Sequence, residues 1–123
     1  MKIVIIEDNP TNMKLVSVLL KKQRYEVFEA TDAEAGIQLA RDELPNLILM
    51  DIQLPGMDGL TATQVLRNDE RTKGIPIVAL TAFAMKGDEE RMLATGGCDA
   101  YIAKPIRYKM FLKTIASVLD GGK

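Results

Sequence analysis

The 123-residue chain contains no histidine and only one cysteine, Cys98. Without histidine, neither a Ser-His-Asp nor a Cys-His catalytic arrangement can form, so these nucleophilic hydrolase mechanisms are excluded. A zinc site is disfavoured for a related reason, because zinc in proteins is bound mainly by cysteine and histidine. A single cysteine cannot form a disulfide within the chain, and the sequence around it lacks the cationic setting of a reactive thiol.

Acidic and basic residues are nearly balanced, since 16 basic and 17 acidic residues give a formal net charge of −1. The basic residues are interspersed with the acidic ones, which argues against nucleic-acid binding. Neither a P-loop nor a Gly-x-Gly-x-x-Gly motif is present, so nothing supports nucleotide binding. No apolar run approaches the ~20 residues of a membrane span, and the N-terminus turns acidic too early for an export signal. We therefore expect a cytoplasmic protein with no nucleic-acid or membrane partner.

Short apolar runs alternate with helical patterns along the whole chain. The runs predict strands at residues 3–6, 25–29, 46–51, 77–80 and 100–103. Helices are predicted at residues 10–22, where Asn9 supplies the cap, and at residues 58–68 and 108–119. Two further helices are predicted, one from a capping box of Thr31 and Glu34 to just before Pro45 and one from Met85 through Met92 to Gly96. The clearest strand is the third, where largely apolar residues lead directly into Asp51.

Five strands alternating with five helices predict an α/β fold. Strand-helix-strand crossovers are right-handed in nearly all proteins, so the expected architecture is a doubly wound parallel sheet with helices on both faces. The length suits one domain with one core. The alternation uses residues 1–123 and leaves no repeat or linker, so we expect a single domain without an output module.

Polar side chains follow the ends of four predicted strands: Glu7 and Asp8, Asp51, Thr81, and Lys104. The carboxyl ends of parallel strands share one edge of the sheet, where ligands bind. Three carboxylates about 5 Å apart would repel by ~3 kcal/mol per pair at an effective dielectric of about 20. Such a cluster requires protonation or a divalent cation, and oxygen ligands suit Mg²⁺.

These residues divide by chemical role. Asp51, alone at its strand end, is the candidate nucleophile for a phosphoryl group, while Glu7 and Asp8 would hold the metal. The Lys104 ammonium can reach a phosphoryl oxygen or the Asp51 carboxylate, and the Thr81 hydroxyl can donate to a bound phosphate. Each residue taken alone is more simply a cap or a solvated side chain. Their convergence on one edge is what favours a functional site.

Four short motifs carry a family resemblance. Residues 7–9, 50–55, 80–82 and 104–105 read Glu-Asp-Asn, Met-Asp-Ile-Gln-Leu-Pro, Leu-Thr-Ala and Lys-Pro. At these separations the chain resembles the receiver (CheY-like) domain of two-component response regulators over essentially its full length. Residues 12–15, 81–91 and 96–98 are similar to those of a single-domain cell-division regulator in that family. The resemblance implies a flavodoxin-like fold of strand order 2-1-3-4-5 and a cis Lys104-Pro105 bond.

The resemblance also implies a role for individual residues. Asp51 would be the phosphoacceptor, and the Mg²⁺ ligands would be Glu7, Asp8, Asp51 and the backbone carbonyl of Gln53. Phosphoryl-contact and switch positions would be Thr81, Ala82, Tyr101 and Lys104. A partner surface would include Met85 and Tyr108.

The function implied is that of a stand-alone phospho-receiver. It would accept a phosphoryl group from a histidine kinase or phosphotransfer protein, assist its own phosphoryl transfer and dephosphorylation, and signal to a downstream protein by changed binding. We expect a monomeric signalling protein rather than an enzyme. Two alternatives stay open: a binding module that is not phosphorylated, and a flavodoxin-like cofactor carrier, whose phosphate Glu7 and Asp8 would repel.

Overall fold

The computed structural model describes residues 1–54, 56–57, 59–81 and 98–121. The strands in these ranges are β1 (Lys2–Ile6), β2 (Glu26–Ala30), β3 (Leu47–Asp51), β4 (Ile77–Thr81) and β5 (Ala100–Ala103). The helices are α1 (Pro10–Lys22), α2 (Ala33–Glu43), α3 (Gly59–Arg67) and α4 (Tyr108–Leu119). The predicted helix that carries Met85 lies outside the described residues. None of the described helices is long and apolar enough to cross a membrane.

The five strands form one parallel sheet in the order β2-β1-β3-β4-β5. This confirms the predicted fold class and strand order. All residues of β3 and β4 are buried, as expected for inner strands that are covered on both faces. Because β1, β3 and β4 are neighbours, their carboxyl ends lie side by side at one edge.

The core is divided by the sheet into two clusters, one on each face. Alternate residues of each strand point to opposite faces, so Val4 and Ile6 belong to one cluster while Ile3 and Ile5 belong to the other. Helices α2 and α3 contribute Ala33, Ile37, Ala40, Ala62 and Leu66 to the first cluster. Helices α1 and α4 contribute Met13, Val16, Leu20, Phe111 and Ile115 to the second.

Several element boundaries differ from the sequence-based predictions. Helix α2 is capped by Asp32, whose Oδ1 accepts a hydrogen bond from the Ala35 N–H at 2.8 Å, so the capping box predicted from Thr31 was wrong. A carboxylate satisfies the exposed amides at the positive end of a helix, which accounts for Asp32 at this position. Strand β2 begins one residue later than predicted and continues to Ala30, which accepts a hydrogen bond from the Glu7 N–H at 3.0 Å.

Two other local predictions are confirmed. Asn9 caps α1 by accepting hydrogen bonds from the Thr11 and Asn12 amides at 2.9 and 3.1 Å. The Lys104-Pro105 peptide bond is cis.

Candidate functional site at the carboxyl edge of the sheet

Lys104 joins two carboxylates from different strands at the predicted edge. Its Nζ lies 3.1 Å from Glu7 Oε1 and 3.1 Å from Asp51 Oδ2. Glu7 is fully buried and Asp51 is only 2% exposed, while the Lys104 side chain keeps 17% of its surface exposed. Charged groups are rarely buried to this extent without a partner. The ion pairs therefore account for how both acids are tolerated beside the core.

Of these two acids, Glu7 is in the less favourable environment for a negative charge. Its Oε2 accepts a hydrogen bond from the Asn9 N–H at 3.1 Å, but Oε1 is buried without a hydrogen bond, because the nearby Lys104 ammonium is outside hydrogen-bonding geometry. Burial, followed by the neighbouring Asp51 carboxylate, raises the pKa of Glu7 from 4.5 to about 7. The Glu7 carboxyl is therefore in a site that favours either a proton or a cation.

Both oxygens of Asp51 are held by groups of the chain itself. Oδ1 accepts a hydrogen bond from the backbone N–H of Gln53 at 3.0 Å, and Oδ2 accepts one from Lys104 Nζ at 3.1 Å. A carboxylate oxygen has two lone pairs, so each oxygen keeps one for another partner. The carboxylate is thus fixed in orientation while remaining able to bind a metal or to attack phosphorus.

Glu7, Asp8 and Asp51 form a cluster of potential metal ligands. One oxygen from each carboxylate lies within 4.8 Å of the others, and Asp8 is exposed at the outer side of the cluster. With Lys104 these groups carry a formal charge of −2 when all are ionised. Magnesium prefers such oxygen donors, and the buried Glu7 oxygen that accepts no hydrogen bond is available as one of them. The donor set therefore fits Mg²⁺.

The electrostatic field of this cluster also acts on Lys104. Burial alone would lower the pKa of the ammonium, but its close contact with the Glu7 and Asp51 carboxylates outweighs burial and raises that pKa. Lys104 is therefore cationic at neutral pH. Its backbone is fixed as well, since the Lys104 N–H donates to the Thr81 carbonyl at 2.8 Å.

Thr81 and Tyr101 lie on adjacent strands, on the same face of the sheet. Tyr101 pairs with Ala79, and Thr81 follows Ala79 by two residues. Thr81 is buried and Tyr101 is half-buried against the core cluster that contains α2 and α3. The predicted contact residue Ala82 lies outside the described residues.

Of the two predicted partner-surface residues, Tyr108 is the one that lies among the described residues. Tyr108, the first residue of α4, is 56% exposed and Met110 beside it is 63% exposed. With Ile106 and Lys113 they line an open groove of about 610 Å³. Met85 lies outside the described residues.

Asn9 is a site residue that the sequence pattern did not reveal as such. The sequence predicts Asn9 as a helix cap and as part of the Glu-Asp-Asn motif, whereas in the structure its backbone amide also holds Glu7 Oε2. Its place directly after two acidic residues at a strand end is the signal that the sequence offers. A backbone donor is available from any residue except proline, so residue type alone could not identify this contact.

Comparison with known proteins places this arrangement in context. The family described as "Response regulator receiver domain" matches residues 3–116. The polar-differentiation response regulator DivK of Brucella ovis is 50% identical over 117 residues, covering 95% of this chain and 94% of that protein.

Two solved structures have the same fold. The receiver domain of the sensor histidine kinase PA1611 from Pseudomonas aeruginosa PAO1, solved with a magnesium ion coordinated in its active site cleft, has a TM-score of 0.86 and 35% identity. The match covers 98% of this chain and 97% of that one. A putative response regulator from Chloroflexus aurantiacus has a TM-score of 0.91 and 28% identity, covering 97% of each chain. The protein therefore belongs to the response regulator receiver domain family.

Proposed function

We propose that Asp51 accepts a phosphoryl group and that the modified protein signals by changed partner binding. The observation that carries this proposal is the contact of Lys104 Nζ with both Glu7 and Asp51 at 3.1 Å, next to exposed Asp8. This arrangement supplies a buried nucleophile, a fixed cation and a cluster of oxygen ligands at one edge. Family membership favours this function over the flavodoxin-like carrier that the fold alone allowed.

The phosphoryl donor in this proposal is a phosphohistidine of a histidine kinase or phosphotransfer protein. An Asp51 oxygen attacks phosphorus, the phosphorus-nitrogen bond breaks, and the imidazole nitrogen leaves with the electron pair. The Mg²⁺ ligands would be Glu7, Asp8, Asp51 and the Gln53 carbonyl, and the ion would neutralise charge on the phosphoryl oxygens. The hydrogen bonds from Gln53 and Lys104 keep the Asp51 carboxylate in one orientation during the transfer.

Lys104 would act as the second source of positive charge. The ammonium contacts Asp51 Oδ2 now, and its three donors and flexible stem let it turn to a phosphoryl oxygen once one is present. The phosphoryl group carries roughly −1.5 to −2 charges where the Asp51 carboxylate carried one, so this contact becomes stronger. We also propose that the protein assists its own dephosphorylation, because the exposed Asp8 and Gln53 leave one side of the site open to water.

The proposed response to phosphorylation runs through Thr81 and Tyr101. The Thr81 hydroxyl and the Ala82 amide would donate to the phosphoryl oxygens, drawing Thr81 toward Asp51. Tyr101 is half-buried on the same face as Thr81, so its ring can move into the vacated space. An apolar ring with a polar hydroxyl is suited to two positions of similar free energy.

The proposed partner surface includes Met85 and Tyr108. Movement of the Tyr101 ring would alter this surface. Tyr108 and Met110 expose apolar area at the start of α4, close in sequence to β5. We propose a cytoplasmic monomer that binds a histidine kinase or phosphotransfer protein and one downstream protein.

The direct test is incubation with acetyl phosphate and MgCl₂ followed by intact-mass measurement. The expected result is uptake of one hydroxylamine-labile phosphoryl group by the parent protein and by Asp120→Asn, an exposed control acid, but not by Asp51→Asn. Uptake by Asp51→Asn at the parent rate would contradict the proposal. Omission of MgCl₂ is expected to abolish most of the uptake, because the ion balances the phosphoryl charge.

A further inference from the structure

Gly59 is the first residue of α3 and lies against the backbone that carries Asp51. A Cβ at this position would lie 2.6 Å from Ile52 Cα and closer still to the Asp51 carbonyl oxygen. Real Cβ atoms essentially never approach other atoms within 3.0 Å, so a side chain here would push backbone atoms apart. Gly59 is not among the residues with positive φ, so space rather than backbone conformation requires glycine.

Hydrogen bonds fix this close approach from both sides. The Gly59 N–H donates to the Ile52 carbonyl at 3.0 Å, and the Thr63 hydroxyl donates to the Gly59 carbonyl at 2.8 Å within the buried first turn of α3. On the opposite side, the Ile52 N–H donates to the Leu80 carbonyl of β4 at 2.9 Å. The backbone of Ile52, the residue that follows Asp51, is therefore held between α3 and β4.

Three groups of the proposed phosphorylation site depend on this backbone. Its direction sets the position of the Asp51 side chain and of the Gln53 N–H, which holds Asp51 Oδ1 at 3.0 Å. It also sets the Gln53 carbonyl, a proposed magnesium ligand. Contacts at Gly59 reach neither the carboxylate nor the metal directly.

We infer that Gly59 is a positioning residue, whose missing side chain lets α3 fix the Asp51–Gln53 backbone in the geometry needed for metal binding and phosphoryl transfer. The inference rests on the proposed function. A displacement of about 1 Å at a reacting group can reduce a rate on the order of 100-fold. Gly59→Ala is thus expected to slow phosphoryl uptake at saturating MgCl₂ by at least about tenfold.

Gly36→Ala is the matched control. Gly36 is a buried helical glycine in α2, and a Cβ there would also be too close to its neighbours, but those are side-chain atoms of Ile6 in the core. This control measures the effect of overpacking without direct pressure on the backbone after Asp51. The expected result is a lowered melting temperature for both variants and a large loss of uptake rate for Gly59→Ala alone.

A second readout does not depend on phosphorylation. In ¹H–¹⁵N spectra of the metal-free protein, the Ile52 and Gln53 amide resonances are expected to shift in Gly59→Ala and to stay near their parent positions in Gly36→Ala. If Gly59→Ala does not fold, Thr63→Val replaces it, because it removes the hydroxyl donor to the Gly59 carbonyl at nearly constant volume. Thr63→Val is then expected to shift the same resonances and to slow uptake, with Thr63→Ser close to the parent.

The outcomes separate this inference from the proposed function. Parent-like uptake and spectra in Gly59→Ala, or equal losses in Gly36→Ala, would overturn the role of Gly59. With Thr63→Val in its place, parent-like uptake and spectra would overturn it too. If the parent protein itself takes up no phosphoryl group, the proposed function fails, and the Ile52 and Gln53 resonances still decide whether Gly59 positions this backbone.

Discussion

The Lys104 ammonium lies 3.1 Å from Asp51 Oδ2 and at the same distance from Glu7 Oε1, so one cation joins the ends of β1 and β3. The two strands are paired neighbours, and their terminal acids would otherwise repel each other next to the core. This relationship makes the stability of the metal-free protein depend on the protonation of its functional site.

Replacing Lys104 with methionine is expected to lower the free energy of unfolding of the metal-free protein at about pH 8 by ~1–3 kcal/mol. Removal of one partner leaves buried carboxylates without their cation. At about pH 5 the loss is expected to be smaller, because Glu7, whose pKa is raised to about 7, then carries a proton. Urea unfolding at the two pH values measures the difference. Lys104→Arg, which keeps the charge, is the control, and equal losses at both pH values would contradict the prediction.

The raised pKa of Glu7 predicts that the metal-free fold becomes less stable as pH rises from about 4.5 to 7. In this window the folded state keeps a proton on Glu7 that the unfolded state has already released, so the free energy of unfolding falls. The full shift corresponds to roughly 3 kcal/mol. Glu7→Gln is expected to flatten this part of the curve, whereas Glu26→Gln, at an exposed strand position, retains it. A curve for Glu7→Gln as steep as that of the parent would refute the assignment.

Asp8→Asn is expected to stabilise the metal-free fold slightly and to weaken Mg²⁺ binding at least about tenfold, because it removes both a repelling charge and a proposed ligand. Calorimetric titration with MgCl₂ measures the affinity. Asp32→Asn is the control, since asparagine can replace aspartate as the cap of α2 and the residue is no part of the acidic cluster. Unchanged Mg²⁺ affinity in Asp8→Asn would remove Asp8 from the proposed ligand set.

Thr81→Ala is expected to bind beryllofluoride but to transmit little of its effect to β5 and α4. The phosphoryl mimic still finds Asp51 and Lys104, but the hydroxyl that would be drawn toward it is missing. Amide chemical shifts of β5 and α4, recorded with and without beryllofluoride, measure the response, and Thr81→Ser is expected to retain it. Tyr101→Ala is expected to lose the response as well. A full response in both alanine variants would show that this pair does not carry the signal.

The amino-acid pattern was sufficient to predict the sheet and the edge at which the polar residues meet. Apolar runs that lead directly into Asp51 and Thr81 predict inner strands, and parallel pairing brings their carboxyl ends together. The family resemblance rests on local motifs at fixed separations, so it was accessible without coordinates. The helix predicted around Met85, and the contact residue Ala82, lie outside the described residues.

Only the tertiary structure distinguished Glu7 from Asp8. In the sequence they are two adjacent acids, but Glu7 is fully buried, pairs with Lys104 and has a raised pKa, whereas Asp8 is exposed. Glu7 immediately follows the last residue of β1, and its N–H continues the hydrogen bonding to β2 through Ala30. Burial depends on what packs around a residue, and the residues around Glu7 come from distant parts of the chain.

The surroundings of Gly59 were likewise decided by tertiary packing. In the sequence it is one residue at the start of the helix predicted at 58–68, and its proximity to the Asp51 carbonyl arises only when α3 packs against the end of β3. The sequence by itself determined which residue types reach the edge, because strand periodicity is a local property. The distances that give Glu7, Lys104 and Gly59 their properties were decided by tertiary packing, since contacts between residues far apart in the chain are not encoded in any one segment.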